Sequence, residues 1–433
     1  MKMVIIAGGQ GTRLGLNDIP KPMVKIGGKP LLEHHINLAR QYGIKDIYIL
    51  SSHLSNIITD YFGDGSAFGV NIRHITEKQP LGTAGAVKQL ENKINERFMV
   101  FYGDIICDID IKSFLDFDNE ASSIASIVVH PNDHPYDSDL LDIGENNVVT
   151  AFYSKPHDHN GYYRNLVNAA VYILDSHIFK YIPADRPSDF GKDIFSLLLK
   201  SNEAIRAYKT AEYLKDIGTT DRLNKVTDDF CSGKIARFSK RNKRPAIFMD
   251  RDGTLVKDID LLHRPEDLEL FSFSASAIKR INSSDFLCFL VTNQPVVARN
   301  LCDISMVKKI HNKLETMLGK EGAYLNDIYF CPHHPDKGYP EENSDYKIDC
   351  DCRKPKIGII EKAAREYNID MESSWFIGDT TVDLQTGVNA GLKTILVKTG
   401  KGGEDKKFNV LPDLIFDTIN NAVDFIISNQ RSL

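Results

Sequence analysis

No stretch of this 433-residue chain approaches the ~20 consecutive apolar residues that a membrane-spanning helix needs. Its start, MKMVIIAGG, has only a short apolar run before the first glycines, which suits a strand and not a secretory signal. Basic charge is not in surplus either. The formal net charge is −6, so the molecule as a whole is not built to sit on nucleic acid or anionic lipid. Any anion it binds must be held by local basic groups. Internal repeats and low-complexity tracts are missing as well. What is there has the make-up of a soluble globular protein, 42% hydrophobic and 26% charged, long enough for two or three domains at roughly 150 residues each. A cytoplasmic enzyme acting on small molecules, with no nucleic-acid or membrane partner, is the expectation. A homo-oligomer is left open.

Seven cysteines are few for a disulfide framework in so long a chain. Cys107, Cys231, Cys288 and Cys302 are scattered and read as small neutral residues. Cys331, Cys350 and Cys352 fall within 22 residues and share that stretch with His333 and His334. In a cytosolic chain such a cluster points to metal.

Strand-like runs alternate with helical patterns throughout. KMVIIAGG, IYIL (47–50), NIRHIT (71–76) and RFMVFYGD (97–104) read as strands, with KPLLEHHINLARQY and TAGAVKQLENKI as helices between them. PAIFMDRDG, FLCFLVTNQ, SSWFIGDT and LKTILVKTG repeat the scheme further on. The alternation implies two doubly wound, Rossmann-like α/β domains with mostly parallel sheets, whose ligands lie beyond the carboxyl ends of the strands. Each of these strands runs into glycine or aspartate there. From Lys234 to Arg244 the chain reads KIARFSKRNKR, six basic residues in eleven, which reads as a solvated linker. The expected division is a first domain at 1–227, a basic linker at 228–244 and a second domain at 245–430.

In the first domain, strand one delivers GGQGTRLG (8–15), followed by IPKPM (19–23). Glycines at 8, 9 and 11 let the backbone approach a phosphate chain and turn N–H groups toward it. No Gly-Lys-Ser/Thr closes the loop as in a Walker A motif, and the dinucleotide spacing is missed because Gly15 comes one residue late. Arg13 and Lys21 add cations for phosphate oxygens. Asp104 ends the strand RFMVFYGD and Asp216 begins DIGT; two carboxylates at strand ends are what a Mg²⁺ bridging two phosphates needs.

GGQGTRL…PKPM, EKQPLGTAGAV (77–87), YGD (102–104), SKP (154–156), NAAVYIL (168–174) and DIGT (216–219) occur in the order found in sugar-1-phosphate nucleotidyltransferases, which residues 1–225 resemble. It looks like the branch that makes GDP-activated mannose and heptose. The resemblance implies a GT-A-like fold in which a sugar-1-phosphate oxygen attacks the α-phosphorus of a nucleoside triphosphate and expels pyrophosphate. It implies that Gly8, Gly9, Gly11, Thr12 and Arg13 hold the triphosphate and that Lys21 contacts the reacting phosphates. Gly82 then lies by the base, Lys155 and Asn168 face the sugar phosphate, and Asp104 with Asp216 binds Mg²⁺. Two positions depart from the family pattern: Ser154 stands where Glu-Lys-Pro is common, and Asn168 is followed by Ala-Ala where Ala/Thr-Gly is more usual.

In the second domain, FMDRDGTLV (248–256) sets Asp250 and Asp252 two residues apart at a strand end, so period-two geometry brings both carboxylates out on one side. One can act as nucleophile and the other as general acid, the division needed to make and break an aspartyl phosphate. LVTNQ adds Thr292 and Asn293, RKP (353–355) adds Arg353 and Lys354, and FIGDTTVD (376–383) adds Asp379 and Asp383. This series resembles the haloacid-dehalogenase phosphatase superfamily over 245–430, implying a HAD-like fold. By that resemblance Asp250 attacks phosphorus, and Asp252 protonates the leaving oxygen and then activates water. Thr292 and Lys354 hold the phosphoryl group, with Asn293 and Arg353 beside the substrate. Asp250, the Asp252 carbonyl and Asp379 bind Mg²⁺.

Cys331-x-His333, sixteen residues, then Cys350-x-Cys352 gives three sulfurs and one nitrogen, a set suited to tetrahedral, closed and therefore structural Zn²⁺. His334 is the rival nitrogen, and the family pattern selects His333. CPHHPD…CDCRKP resembles the small zinc loop of phosphatases acting on heptose 1,7-bisphosphate and on histidinol phosphate. One segment departs, TNQPVVARN (292–300) against the more usual TNQSGIARG. The two resemblances together imply a bifunctional enzyme: a phosphatase that removes the 7-phosphate of a heptose bisphosphate and a transferase that joins the resulting 1-phosphate to GTP or another nucleoside triphosphate. The competing expectation is a mannose-1-phosphate guanylyltransferase, or another sugar-nucleotide pyrophosphorylase, fused to a histidinol-phosphatase-like or catalytically silent, zinc-stapled domain.

Overall fold

Two apolar strands organise the chain. Lys2–Ile6 and Arg244–Met249 carry runs of residues with no exposed surface (Met3 to Ile5, and Ala246 to Met249), because each strand is covered on both faces. The computed structural model describes residues 1–9, 14–15, 18–158, 160–338 and 342–430. By contacts the protein forms two units. Unit 1 takes Met1–His130, Ser138–Lys155 and Val167–Arg241; unit 2 takes Pro131–Asp137, Pro156–Leu166 and the chain from Asn242 onward. Neither unit is contiguous in sequence, unlike the expected division at 1–227, 228–244 and 245–430. Among the described residues no helix is long and apolar enough to cross a membrane.

Unit 1 is built on a nine-stranded mixed sheet. One parallel run is Phe98–Tyr102, Lys2–Ile6, Asp46–Ser51, Asn71–Thr76, and Ile205–Lys209 pairs parallel with Ala125–His130 at another place in the sheet. Strand order therefore reverses between Lys2–Ile6 and Phe98–Tyr102, the kind of switch point at which such sheets open a crevice. Beyond Phe98–Tyr102 the sheet departs from the parallel expectation. Val167–Leu174 runs antiparallel to Phe98–Tyr102 and to Ala125–His130, and Leu140–Ile143 with Val149–Tyr153 forms a further antiparallel pair. The link between that pair is one short turn around Glu145–Asn147, far shorter than a parallel crossover needs. A separate antiparallel ribbon joins Ile105–Cys107 to Leu214–Asp216, so two segments far apart in sequence meet just past the switch point.

The basic run is folded. Lys234–Arg237 is a helical turn, and Ile235 and Phe238 are buried in a cluster with Val24, Ile26, Leu31, Ile106 and Ile217. Arg241 reaches both carboxylate oxygens of Asp108 at 2.6 Å. The apolar residues between the charges, each three or so apart, decide that outcome over the solvated linker that the charge count suggests.

Unit 2 holds six strands, all parallel: Asp327–Cys331, Leu287–Asn293, Arg244–Met249, Ile369–Gly378, Lys393–Val397, Leu414–Phe416. Numbered along the chain this is 3-2-1-4-5-6, the Rossmann order, with its switch point between Arg244–Met249 and Ile369–Gly378. Helix Ile304–Lys320 starts at Asp303, whose carboxylate caps the Met306 N–H, and buries Val307, Ile310, His311, Leu314 and Leu318 along one stripe. The segments from earlier in the chain fold onto this region. Tyr136 donates to the Thr316 carbonyl at 2.9 Å, the Tyr163 N–H meets Thr316 Oγ1 at 2.9 Å, and Arg164 pairs with buried Asp327 at 2.8 Å.

One local feature of unit 1 is strained. The register of Val167–Leu174 slips between Asn168 and Tyr172, and Ala170 takes φ +55° there. A side chain in that left-handed conformation costs about 1–2 kcal/mol, which glycine avoids. Ala170→Gly is expected to stabilise the protein by about 0.5–1 kcal/mol after its own loss of chain entropy on folding, raising the unfolding midpoint of unit 1 by about 2 °C. A scanning-calorimetry comparison of the two proteins checks this, and a lowered midpoint would contradict it.

Candidate active sites

In unit 2 the sheet delivers its acids side by side. Asp250 follows Arg244–Met249 directly, and Asp379 follows Ile369–Gly378. The strands are paired Met249 to Ile377, and the Asp250 N–H continues the ladder to the Ile377 carbonyl at 3.1 Å. Asp383 joins them from the first turn of helix Thr381–Asn389, where it completes a capping box with Thr380. One oxygen from each of Asp250, Asp379 and Asp383 lies within 4.8 Å of the others. Lys354 supplies the cation, with its Nζ at 2.9 Å from Asp250, 2.6 Å from Asp383 and 3.0 Å from the Val291 carbonyl. Burial alone would lower the lysine, but the charges of Asp250 and Asp383 outweigh it and hold Lys354 above its ordinary range.

Asp379 is left without such help. It is 1% exposed, its Oδ1 has no hydrogen-bond partner, and its Oδ2 takes only the Lys401 N–H at 2.7 Å. Burial, then the like charges of Asp383 and Asp250, push its carboxyl up to about 8. Gly253 at φ +76° presses its backbone against this carboxylate, and a Cβ there would enter the contact shell of Asp379 Oδ2. Only glycine fits the DRDGT turn at that position.

Asp252 is not in the acidic group, whose third carboxylate is Asp383. The Asp252 side chain turns to Arg251 and Gln294. Burial raises its carboxyl in spite of Arg251 beside it. Thr292, 1% exposed, accepts a hydrogen bond from Gln294 at 2.9 Å. Asn293 uses both ends of its amide on the Lys354 backbone, at 3.0 and 3.1 Å. The sequence reading missed Arg251 and Gln294 and left Asp383 without a role. Arg251 is marked only as a cation set between two aspartates, and nothing in its type or spacing shows which of them it holds.

Cys331, His333, Cys350 and Cys352 converge, with donor atoms within 4.8 Å of one another. Sulfur separations are 3.5 Å (Cys331–Cys350), 3.2 Å (Cys331–Cys352) and 3.1 Å (Cys350–Cys352), and His333 Nδ1 is 3.2 Å from Cys352. His334 turns elsewhere, its Nδ1 accepting the Asp336 N–H at 3.2 Å. Arg353 Nη1 donates to the His333 carbonyl at 2.9 Å, tying this loop to the residue before Lys354.

In unit 1, Gly8 and Gly9 follow Lys2–Ile6 at the switch point, and Ser52 donates to the Gly8 carbonyl at 2.8 Å. Gly11, Thr12 and Arg13 lie outside the described residues. Asp104 and Asp216 meet across the ribbon: Asp216 pairs with Ile105, and the Ile217 N–H donates to the Asp104 carbonyl at 3.0 Å. Each carboxylate has a cation. Lys21 holds Asp104 at 2.6 Å, and Arg222 takes both oxygens of Asp216 at 3.0 and 2.7 Å. Burial acts to raise Asp216, but Arg222 and the Gly218 N–H keep it below the usual carboxylate range. Gly82 opens helix Gly82–Lys88 at φ +72°, where a Cβ would lie 2.5 Å from the Ser188 carbonyl. Lys155 and Asn168 both meet Asp139, through the Lys155 N–H on its carboxylate at 3.2 Å and the Asn168 N–H on its carbonyl at 3.0 Å. Asn168 also donates to Tyr172 at 3.0 Å. Arg222 and Asp139 carried no sequence signal, because neither stands in a motif.

Comparison with known proteins falls along the same division. A nucleotidyl transferase family model matches residues 2–233, and a HAD-hydrolase-like model matches 351–422. The D-glycero-beta-D-manno-heptose-1,7-bisphosphate 7-phosphatase of Haemophilus ducreyi is 36% identical over 189 residues, 42% of this chain and 98% of its own. The D-glycero-alpha-D-manno-heptose-1,7-bisphosphate 7-phosphatase of Photorhabdus laumondii is 33% identical over 186 residues, 43% of this chain and 100% of its own. The mannose-1-phosphate guanylyltransferase of Mycobacterium tuberculosis is 30% identical over 259 residues, 59% of this chain and 69% of its own. The chain therefore belongs to the nucleotidyl transferase family over its N-terminal half and to the HAD-like heptose-bisphosphate phosphatases over its C-terminal part, a bifunctional enzyme in one polypeptide.

Proposed function

We propose that unit 2 removes the 7-phosphate of D-glycero-D-manno-heptose 1,7-bisphosphate and that unit 1 joins the remaining 1-phosphate to GTP, giving GDP-heptose and pyrophosphate in the cytoplasm. The observation that carries this reading is the acid cluster of Asp250, Asp379 and Asp383 around Lys354, at the switch point of a chain that also carries a nucleotidyltransferase. Relatives of unit 2 act, by name, on heptose bisphosphates, and a relative of unit 1 is a guanylyltransferase for a hexose 1-phosphate. A 7-phosphatase leaves the anomeric phosphate in place, which is the group a nucleotidyltransferase consumes. One half then makes the substrate of the other.

In unit 2, Asp250 attacks phosphorus, Asp252 protonates the leaving oxygen, and Thr292 with Lys354 holds the phosphoryl oxygens. Asn293 acts through the Lys354 backbone, and Arg353 steadies the approach to it. The residues fit a divalent cation: the unpartnered Oδ1 of buried Asp379 beside Asp250 is a donor set for Mg²⁺, with the Asp252 carbonyl as a third oxygen. When bound, Mg²⁺ supplies positive charge that lets an anionic nucleophile approach a phosphate monoester. The Cys331, His333, Cys350, Cys352 set has the donor chemistry of a structural Zn²⁺ site, which would hold Arg353 and Lys354 in place.

In unit 1, Gly8, Gly9, Gly11, Thr12 and Arg13 receive the triphosphate, Gly82 lies by the base, and Lys155 with Asn168 faces the sugar phosphate. Lys21 neutralises the reacting phosphates. Asp104 and Asp216 suit Mg²⁺ by type, but both are paired with cations here. Asp104 would become free to hold it where Lys21 turned to a phosphate oxygen, and Asp216 would have to share its oxygens with Arg222.

Asp250→Asn is expected to lower phosphate release by roughly 10³-fold or more while leaving pyrophosphate release intact, and Lys21→Ala to do the reverse. Assays of both products on each variant check this; a single substitution that silenced both reactions in folded protein would contradict the two-site reading. In a matrix of nucleoside triphosphates against sugar 1-phosphates, GTP with the heptose 1-phosphate should give the highest kcat/KM. A preference for UTP or dTTP with glucose 1-phosphate would overturn the substrate assignment and leave the reaction type standing.

Elemental analysis of purified protein should find about one zinc per chain, the stoichiometry of a four-donor closed site. Cys350→Ser should remove it and lower the unfolding midpoint of unit 2. Fully stable, zinc-free wild-type protein would rule the structural ion out.

A further inference from the structure

Arg251 lies between the two aspartates of the phosphatase motif, and its side chain has no exposed surface. Such burial of a guanidinium demands partners for its donors. Nε reaches Asp252 Oδ1 at 3.1 Å and Nη2 reaches Asp252 Oδ2 at 2.9 Å, a two-point grip on the carboxylate. Nη2 also donates to Gln294 Oε1 at 2.8 Å, and Nη1 lies 3.2 Å from His311 Nε2. His311 is held well below the ordinary histidine range by burial and then by Arg251, so it is neutral and accepts this bond.

Gln294, 2% exposed, closes the network. Its Nε2 donates to Asp252 Oδ2 at 3.0 Å and to Thr292 Oγ1 at 2.9 Å, and its own N–H is held by the Cys331 carbonyl at 2.7 Å. These bonds differ between the two oxygens of Asp252. Oδ2 takes two donors, Arg251 and Gln294, which fills its two lone-pair directions. Oδ1 takes one and keeps the other. The carboxylate as a whole is 23% exposed, so it is held from behind and open in front. Because Thr292 Oγ1 is already an acceptor, its own O–H is left to donate.

We propose that Arg251 and Gln294 are positioning residues for phosphate release, which together leave Asp252 Oδ1 as the single atom that passes a proton to and from the substrate. The proposal rests on unit 2 being a phosphatase. In the first step an Asp250 oxygen bonds to phosphorus and the phosphorus–alcohol bond breaks. The leaving oxygen keeps that electron pair and takes the proton from Oδ1, so the sugar departs as an alcohol. In the second step water attacks phosphorus, Oδ1 takes back a proton, and the bond to Asp250 breaks to give inorganic phosphate.

An alkoxide is a poor leaving group and needs that proton; a nitrophenolate does not. The test therefore compares heptose 1,7-bisphosphate with p-nitrophenyl phosphate as substrates of the full chain in Mg²⁺. Arg251→Lys keeps the charge and loses the two-point grip. It should lower kcat/KM, which reports the steps up to release of the alcohol and not the hydrolysis common to both esters, by roughly 10²-fold on the sugar phosphate and by less than about threefold on the aryl phosphate. Gln294→Met, which keeps Arg251 and the shape, should show the same split to a smaller degree and carries the test if Arg251→Lys does not fold. An equal loss on both esters, or no loss on the sugar phosphate in folded protein, would overturn the proposal. Wild-type protein that releases phosphate from neither ester, with Asp250→Asn no different, would overturn the phosphatase reading along with it.

Discussion

Three carboxylates gathered within 4.8 Å repel one another, and the second unit is arranged around that fact. At an effective dielectric of about 20, each like-charged pair at this separation costs about 3 kcal/mol. Lys354 offsets two members of the group, touching Asp250 and Asp383 at under 3 Å. It does not touch Asp379, which faces both other acids from a buried position and keeps an oxygen without a partner. Burial first, and then the charges of Asp383 and Asp250, displace its carboxyl to about 8. Lys354 satisfies Asp250 and Asp383 and leaves one oxygen of Asp379 open, the donor that the proposed Mg²⁺ would take.

The parts around the cluster serve that arrangement. Parallel pairing of Met249 with Ile377 sets two strand ends level, and the order 3-2-1-4-5-6 makes those ends the crevice. The capping box of Thr380 and Asp383 holds the third acid while starting a helix, so one residue does a structural and an electrostatic task together. Asn293 braces the backbone of Lys354 and Arg353 ties it to the cysteine loop, so the lysine is fixed from both sides. Glycine at 253 lets the motif turn lie against Asp379.

Much of this was legible in the sequence, and the parts that were not share a cause. Strand runs such as PAIFM and FLCFLVT could be read because burial on both faces leaves an uninterrupted apolar signature. Asp250, Lys354, Asp379 and the cysteine set could be read because chemistry fixes residue type and short-range spacing. The antiparallel part of the first sheet could not, since a strand such as Ala125–His130, buried along almost its whole length, looks the same whichever way its partner runs. The KIARFSKRNKR run misled because six charges obscure Ile235 and Phe238, the two residues that pack. Arg251, Arg222, Gln294 and Asp139 act through partners distant in sequence or through orientation, and a pattern of types along the chain carries neither.

The two units solve the same electrostatic problem in opposite ways. Both place acids at a switch point, beside a glycine-bearing turn that follows the first strand. In unit 2 one buried carboxylate, Asp379, touches no cation among the described residues and keeps an oxygen without a partner, the opening that the proposed Mg²⁺ would fill. In unit 1 the accounts are balanced without metal, since Lys21 neutralises Asp104 and Arg222 neutralises Asp216. A site of that kind gains little from a free divalent ion, which would have to displace a lysine held at 2.6 Å. It gains much from an ion that arrives with a triphosphate, because the phosphate oxygens then receive the displaced Lys21. In the proposed reaction, a metal at Asp104 would therefore depend on substrate, through the phosphate that takes over Lys21.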